Sequence, residues 1–379
     1  MKRKNLIIVC LLILCFFHLS ANCKREDKTS TTEKYSRFKP GQLWTDEDGV
    51  PIQSHFGSVF YDDGVYYWVG QNYIGGPTIP RGSFPNQPFT WNFNTGISIY
   101  SSTDLYNWKL KNIVLNETSF EPQSLLQPLN LIGRVNIIKN DMTGKYILMG
   151  VLLSPDFLTI NDVVYAISDS PVGPFEFKGK LKWKNAPNLT EDIWDSEKLT
   201  GKRDSPERIR GWDMELFKDE DNRAYLIVGH GANYIYELSD DYTSVLKGAL
   251  MEGVEGEAPA MIKDNNTYYI FESQLTGYQA NSNTYFTSDN IWGPWEPRGK
   301  FARGKNEETT FESQVAHVFP LVNCPGKFIF ISGKYNEVSG GDILDLQEIK
   351  HIWLPLDIDR KSKSVQVNWR DEWTLDELE

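Results

Sequence analysis

The sequence predicts an all-β protein, a single-domain five-bladed β-propeller, and three observations carry that expectation. Helical periodicity is weak throughout, and short aromatic or β-branched runs bounded by Gly, Asn, Asp and Pro dominate. A polar turn followed by an aromatic-led strand recurs five times, with aromatics near Tyr67, Tyr146, Tyr225, Tyr268 and Phe328. A second pattern, a Ser-Asp turn running into an aromatic, interleaves with the first around Ser102-Thr103-Asp104, Ser168-Asp169 and Ser288-Asp289. Repeated strand units of this kind argue for a propeller, whose central channel gathers residues from distant parts of the chain.

Taken in order, the chain begins as an exported protein does. Met1-Lys2-Arg3-Lys4 is a positive start, and the apolar run from Leu6 to Leu19 is short for a membrane-spanning helix. Residues 1–22 are expected to be a lipoprotein-type signal peptide, with Cys23 as the lipidated residue. Plain secretion is the alternative. Residues 23–40 are charged and Thr-rich and are expected to be a solvated tether. The body is expected over 41–379, secreted or held by its lipid at the periplasmic or outer cell surface. Two stretches break the rhythm. Residues 74–94, rich in Gly, Pro and aromatics, are expected to form a long loop over one mouth of the channel, and 182–210 a charged insertion.

Composition narrows the function. The net charge is −12, and no basic cluster follows the N-terminus, so nucleic acid is a poor partner. The five histidines have no metal-ligand spacing, and neither a nucleophile elbow nor a phosphate-cradling loop is present. The chain carries 12 Trp, 18 Tyr and 20 Phe, rings that pack on strands and stack on sugar faces. Cys324 is the lone cysteine beyond Cys23, so no internal disulfide is available after cleavage.

The polar residues that stand out lie at the starts of predicted strands: Asp213, Glu257 and Gln314. Glu257 precedes Ala258-Pro259, and a carboxyl held stiffly beside small apolar residues is partly desolvated, as a general acid requires. A channel with paired carboxyls and aromatic walls suits glycoside hydrolysis.

The ordered set of motifs is specific. Trp212-Asp213-Met214-Glu215-Leu216-Phe217, Glu257-Ala258-Pro259-Ala260-Met261, Thr276-Gly277-Tyr278, Gly293-Pro294-Trp295, Phe311-Glu312-Ser313-Gln314 and Trp353-Leu354-Pro355 together resemble glycoside hydrolase family 43. The nearest branch is that of the exo-β-1,3-galactanases. The resemblance runs from about Trp44 to Trp373 and implies a five-bladed propeller and an inverting reaction. It implies Glu257 as general acid, Asp213 as the carboxylate that tunes and orients it, and Gln314 as the group that positions water. It further implies sugar contacts from Trp212, Tyr278, His55, Gln71, Lys334 and Tyr335. No metal site and no required cofactor are implied, although relatives hold a Ca²⁺ in the channel. The implied substrate is a poly- or oligosaccharide, with exo-release of galactose or a related sugar. Galactofuranose or arabinofuranose release and non-catalytic glycan binding are the alternatives. The sequence departs from the branch at Gln71 and Gly133, where the branch has acids, and it has no acid around His55-Phe56.

Overall fold

The computed structural model describes residues 34–76, 78–79, 90–92, 94–116, 131–154, 160–184, 209–277, 279–335, 343–344 and 346–378. The signal segment, Cys23, the tether up to residue 33 and Tyr278 lie outside them. Within the described residues there is no α-helix, only strands and short 3-10 turns.

Consecutive antiparallel strands build the sheets. The first is β1 (His55–Asp62), β2 (Val65–Asn72), β5 (Gly96–Ser102) and β6 (Lys109–Val114), in that order. The second is β7 (Leu131–Lys139), β8 (Tyr146–Leu153), β9 (Asn161–Ser168) and β10 (Glu176–Lys180). A six-stranded sheet follows, made of β11 (Asp213–Lys218), β12 (Ala224–Leu238), β13 (Val245–Asp264), β14 (Thr267–Ser273), β15 (Thr284–Ser288) and β16 (Glu296–Lys300). The last large sheet orders β17 (Ala302–Arg303), β22 (Ser364–Asn368), β21 (Lys350–Asp359), β19 (Phe328–Lys334) and β18 (Gln314–Pro320). Part of the expected long loop is a small sheet of its own, in which β3 (Thr78–Ile79) and β4 (Thr90–Asn92) join β20 (Ile343–Leu344).

The predicted aromatics Tyr67, Tyr146, Tyr225, Tyr268 and Phe328 fall on β2, β8, β12, β14 and β19, next to the strands that open each run. The Ser-Asp pattern has a local cause. The Ser102, Ser168 and Ser288 hydroxyls each accept a backbone N–H two residues on, at 3.2, 3.0 and 3.1 Å, and so close the turn after β5, β9 and β15.

The innermost strands touch in a closed order: β1 against β7, β7 against β11, β11 against β13, β13 against β18, and β18 back against β1. Their starts gather at one end of a common axis. At the other end their last residues line a cavity of about 490 Å³ that includes Lys139, Glu215, Lys263, His317 and Phe319.

Aromatic packing fastens the two chain ends together. Phe38 stacks on Trp373 with centroids 4.3 Å apart, and Trp353 contacts Trp68, Trp108 and Phe319. Burying each such ring contributes on the order of 1.5–3 kcal/mol. The tether therefore ends earlier than residue 40: Phe38 is 2% exposed and bridges to Trp373, because an aromatic at that point joins the core instead of staying in water. Residues from Lys34 onward belong to one compact unit.

Candidate active site

Four of the five inner strands share a device at the end where the predicted residues sit, β11 being the exception. Pairing slips by a bulge between His55 and Ser58 on β1, Gly133 and Asn136 on β7, Glu257 and Ala260 on β13, and Val315 and His317 on β18. Phe56, Arg134 and Ala258, inside three of these bulges, have φ of 50°, 51° and 59°. A bulge re-aims the side chains around it and frees backbone groups from the ladder. Ala258 shows the result, since its N–H donates to Asp213 Oδ2 at 3.0 Å.

Asp213, Glu257 and Gln314 come together as expected, and Arg134 joins them. Arg134 Nε donates to Asp213 Oδ1 at 2.8 Å. Its Nη2 donates to Gln314 Oε1, and Nη1 to the Val315 carbonyl at 3.2 Å. Tyr335 donates its hydroxyl to Gln314 Oε1 at 2.8 Å. Gln314 Nε2 then donates to Glu257 Oε1 at 2.8 Å and to Ser273 Oγ at 3.3 Å. Arginine carries no acceptor, so the atom it faces is the amide oxygen and the amide nitrogen must face Glu257. Burial works against the Arg134 charge, but Asp213, Tyr335 and Glu257 together outweigh it and hold the guanidinium above its ordinary range. The ring of Phe56 lies 5.1 Å below that guanidinium.

Glu257 is 6% exposed. Its Oε2 lies 3.3 Å from Nδ1 of His230, which is half-exposed at the rim and stacks on Trp212 at 5.1 Å. Asp213, His230 and Glu257 each bring a possible ligand atom within 4.8 Å of the others. These groups already serve one another and Arg134, and a cation there would face the guanidinium. The trio fits a hydrogen-bonded acid pair better than a metal centre, and Ca²⁺ would need six to eight oxygens.

Behind this layer lies another buried carboxyl. Glu272 is fully buried, and burial, with Asp213 and Glu257 adding, pushes it well above the ordinary range. Two residues further along the inner strands, Glu215 Oε1 meets His317 Nδ1 at 2.8 Å, and burial likewise raises Glu215.

The remaining expected residues divide. Tyr335 reaches the site through Gln314. Lys334, beside it, pairs with Glu312. Gln71 is buried, donates to the Tyr73 hydroxyl at 2.8 Å, and lies 3.6 Å from where a Cβ on Gly133 would stand. The two departures from the branch are thus neighbours. His55 needs correcting as a sugar contact. It is 1% exposed, stacks on His351 at 5.0 Å and packs against Tyr73, because its side of β1 faces the aromatic interior. Sequence reasoning missed Arg134, His230 and Ser273. Only Arg134 carried a signal, as a lone cation in the apolar run Leu131-Ile132-Gly133-Arg134-Val135, where a buried charge demands a partner.

The sequence profile of Glycosyl hydrolases family 43 matches residues 56–317, which hold every member of this cluster except Tyr335. The chain belongs to that family. Two solved β-1,3-galactosidases of family 43 resemble it with TM-score 0.74 each. One is 26% identical over 91% of this chain and 65% of its own. The other, with galactodeoxynojirimycin, is 28% identical over 89% of this chain and 100% of its own. An exo-β-1,3-galactanase from Phanerochaete chrysosporium, solved with β-1,3-galactotriose, shares the fold at TM-score 0.71 and 22% identity, over 90% of this chain and 68% of its own. Among curated proteins, a xylan 1,3-β-xylosidase from Vibrio sp is 24% identical over 258 residues. That match spans 63% of this chain and 43% of the xylosidase.

Proposed function

We propose that this family 43 member is an inverting, exo-acting glycoside hydrolase that releases a terminal galactose or a related sugar from polysaccharide side chains. The observation that carries the proposal is Glu257. It is a nearly buried carboxyl with one oxygen fixed by Gln314 and the other turned to the open rim at His230. In this reading the fold is a five-bladed propeller, supported by the closed order of five inner strands, with β12 and β13 shared between two blades.

Glu257 donates its proton to the leaving glycosidic oxygen. Asp213 accepts from Arg134 and from the Ala258 amide, so it keeps the Glu257 bulge in place. Asp213 is engaged as the ion-pair partner of Arg134 and as acceptor of the Ala258 amide, so it is assigned to orienting the acid and not to activating the water. The water is guided instead by the Gln314 carboxamide. Every hydrogen-bonding position of that amide is filled by protein groups, so water enters where half-buried Tyr335 gives way. The galactosidase neighbours support galactose as the sugar. The Vibrio xylosidase favours a second reading, release of a pentose, and the uncharged Gln71–Gly133 corner leaves room for it. Lipid anchoring at Cys23 would place this activity at the cell surface.

The test is a product assay of residues 24–379 on β-1,3-galactan, arabinogalactan, arabinan and β-1,3-xylan, with Glu257→Gln as control. Galactose released by the wild type alone, first seen as the inverted anomer by NMR, is the expected result. A pentose would move the assignment to the second reading. Equal release by the variant would remove Glu257 from the role of acid.

A further inference from the structure

We infer that His230 is the positioning residue for the proton of Glu257: neutral His230 accepts, at Nδ1, the proton that Glu257 carries on Oε2. The inference rests on the acid role of Glu257 proposed above.

Proton bookkeeping leads to it. Arg134 and Tyr335 both donate to Gln314 Oε1, which fixes the amide so that Nε2 donates to Glu257 Oε1. That oxygen is an acceptor, so a protonated Glu257 carries its hydrogen on Oε2. His230 Nδ1 lies 3.3 Å from Oε2. With the imidazole hydrogen on Nε2, Nδ1 is an acceptor and holds the acid's hydrogen toward the rim. The stack on Trp212 sets the ring plane. Two glycines leave room for this strand, because a side chain at Gly229 would strike Asn233 at 1.7 Å and one at Gly256 would strike the Cβ of Glu272 at 2.7 Å.

Among the described residues, the charged and titratable groups that face His230 include Glu257 on β13 and Asp213 on β11, with Arg134 on β7 behind Asp213 and Glu272 on β14 behind both. The site has room for one hydrogen between Oε2 and Nδ1. When His230 takes a second proton, its Nδ1–H occupies the gap. Glu257 keeps its own hydrogen at this lower pH, so two donors face one another across 3.3 Å and the acid's hydrogen must turn out of the gap. The acid loses its aim, and turnover falls on the acidic side of the profile as His230 gains charge. An ordinary histidine titrates around pH 6.5.

Two measurements test this. Asn places an amide group near the position of Nδ1 and cannot titrate. His230→Asn is expected to lower kcat about tenfold with KM kept, and to remove the acidic limb of the pH–rate profile. A limb that stays in place overturns the inference, because a purely structural histidine would leave it unmoved. The second measurement needs no turnover. NMR titration of the His230 Cε1–H compares wild type with Glu257→Ala, which removes the donor to Nδ1. A donor holds the imidazole neutral, so the midpoint is expected to rise by about one unit in the variant. A midpoint that is unchanged or falls overturns the inference even where Glu257→Ala is inactive, and that inactivity alone bears only on the acid role.

Discussion

Two layers of the same strands place carboxyls on one axis with opposite outcomes. In the upper layer Asp213 and Glu257 meet Arg134, Gln314 and His230, with His230 opening to solvent. One step down, Glu215 sits on the same strand as Asp213 and pairs with His317, whose Nε2 meets the Val59 carbonyl at 3.2 Å. The upper pair has a charge partner and an open side. The lower one has burial, the His317 imidazole and the Asn136 amide, and burial dominates its titration. A carboxyl on the axis becomes chemically useful through its neighbours, not through its place on a strand.

Substitutions in the two layers sharpen that contrast. Glu257→Gln is expected to reduce kcat by about 10²–10⁴-fold, the usual worth of a positioned acid, with the melting temperature kept. A rate within a few-fold of wild type would erase the distinction between the layers. Arg134→Met should come next. It leaves the partly buried Asp213 without its cation; breaking a fully buried pair costs on the order of 3–5 kcal/mol, so a loss toward or below the lower end of that range is expected in denaturant unfolding, together with a loss of rate. Glu215→Gln should leave the rate nearly unchanged. Because the folded state holds the Glu215 proton more tightly than the unfolded chain does, wild-type stability falls as pH rises above about 4.5, and the variant should lose that slope. A separate effect, read on stability and not on rate, concerns the histidine pair beneath the rim. Burial lowers His351 to about 4 and lowers His55 well below its ordinary value, with the His351 charge adding. The unfolded chain binds these protons first, so stability should fall as pH drops from about 6.5 toward 4, by about 1.4 kcal/mol per unit for each histidine. A flat urea midpoint across that window would show that the pair is not held neutral.

Much of this was legible in the sequence. The aromatic beat and the Ser-Asp turns mark strands because their causes are local: alternation on a pleated surface and a hydroxyl closing its own turn. Glu257, Asp213 and Gln314 were legible as strand-start polar residues. His230 was not, since nothing in Gly229-His230-Gly231 announces that the strand will carry the imidazole to a carboxyl 27 residues on. His55 was misjudged for the related reason that a bulge, invisible in composition, decides which way β1 points it.

The bulges divide β1, β7, β13 and β18 into two zones of different tolerance, while β11 pairs without a slip. Below the extra residue, side chains are locked into the ladder by count, and a one-residue slip would turn every one of them to the wrong face. At the bulge itself the backbone leaves the ladder, and pairing resumes above it at His55, Gly133 and Glu257, so Phe56, Arg134 and Ala258 answer to their immediate neighbours. The same framework can therefore exchange the groups at its bulges while the base of the ring keeps its register.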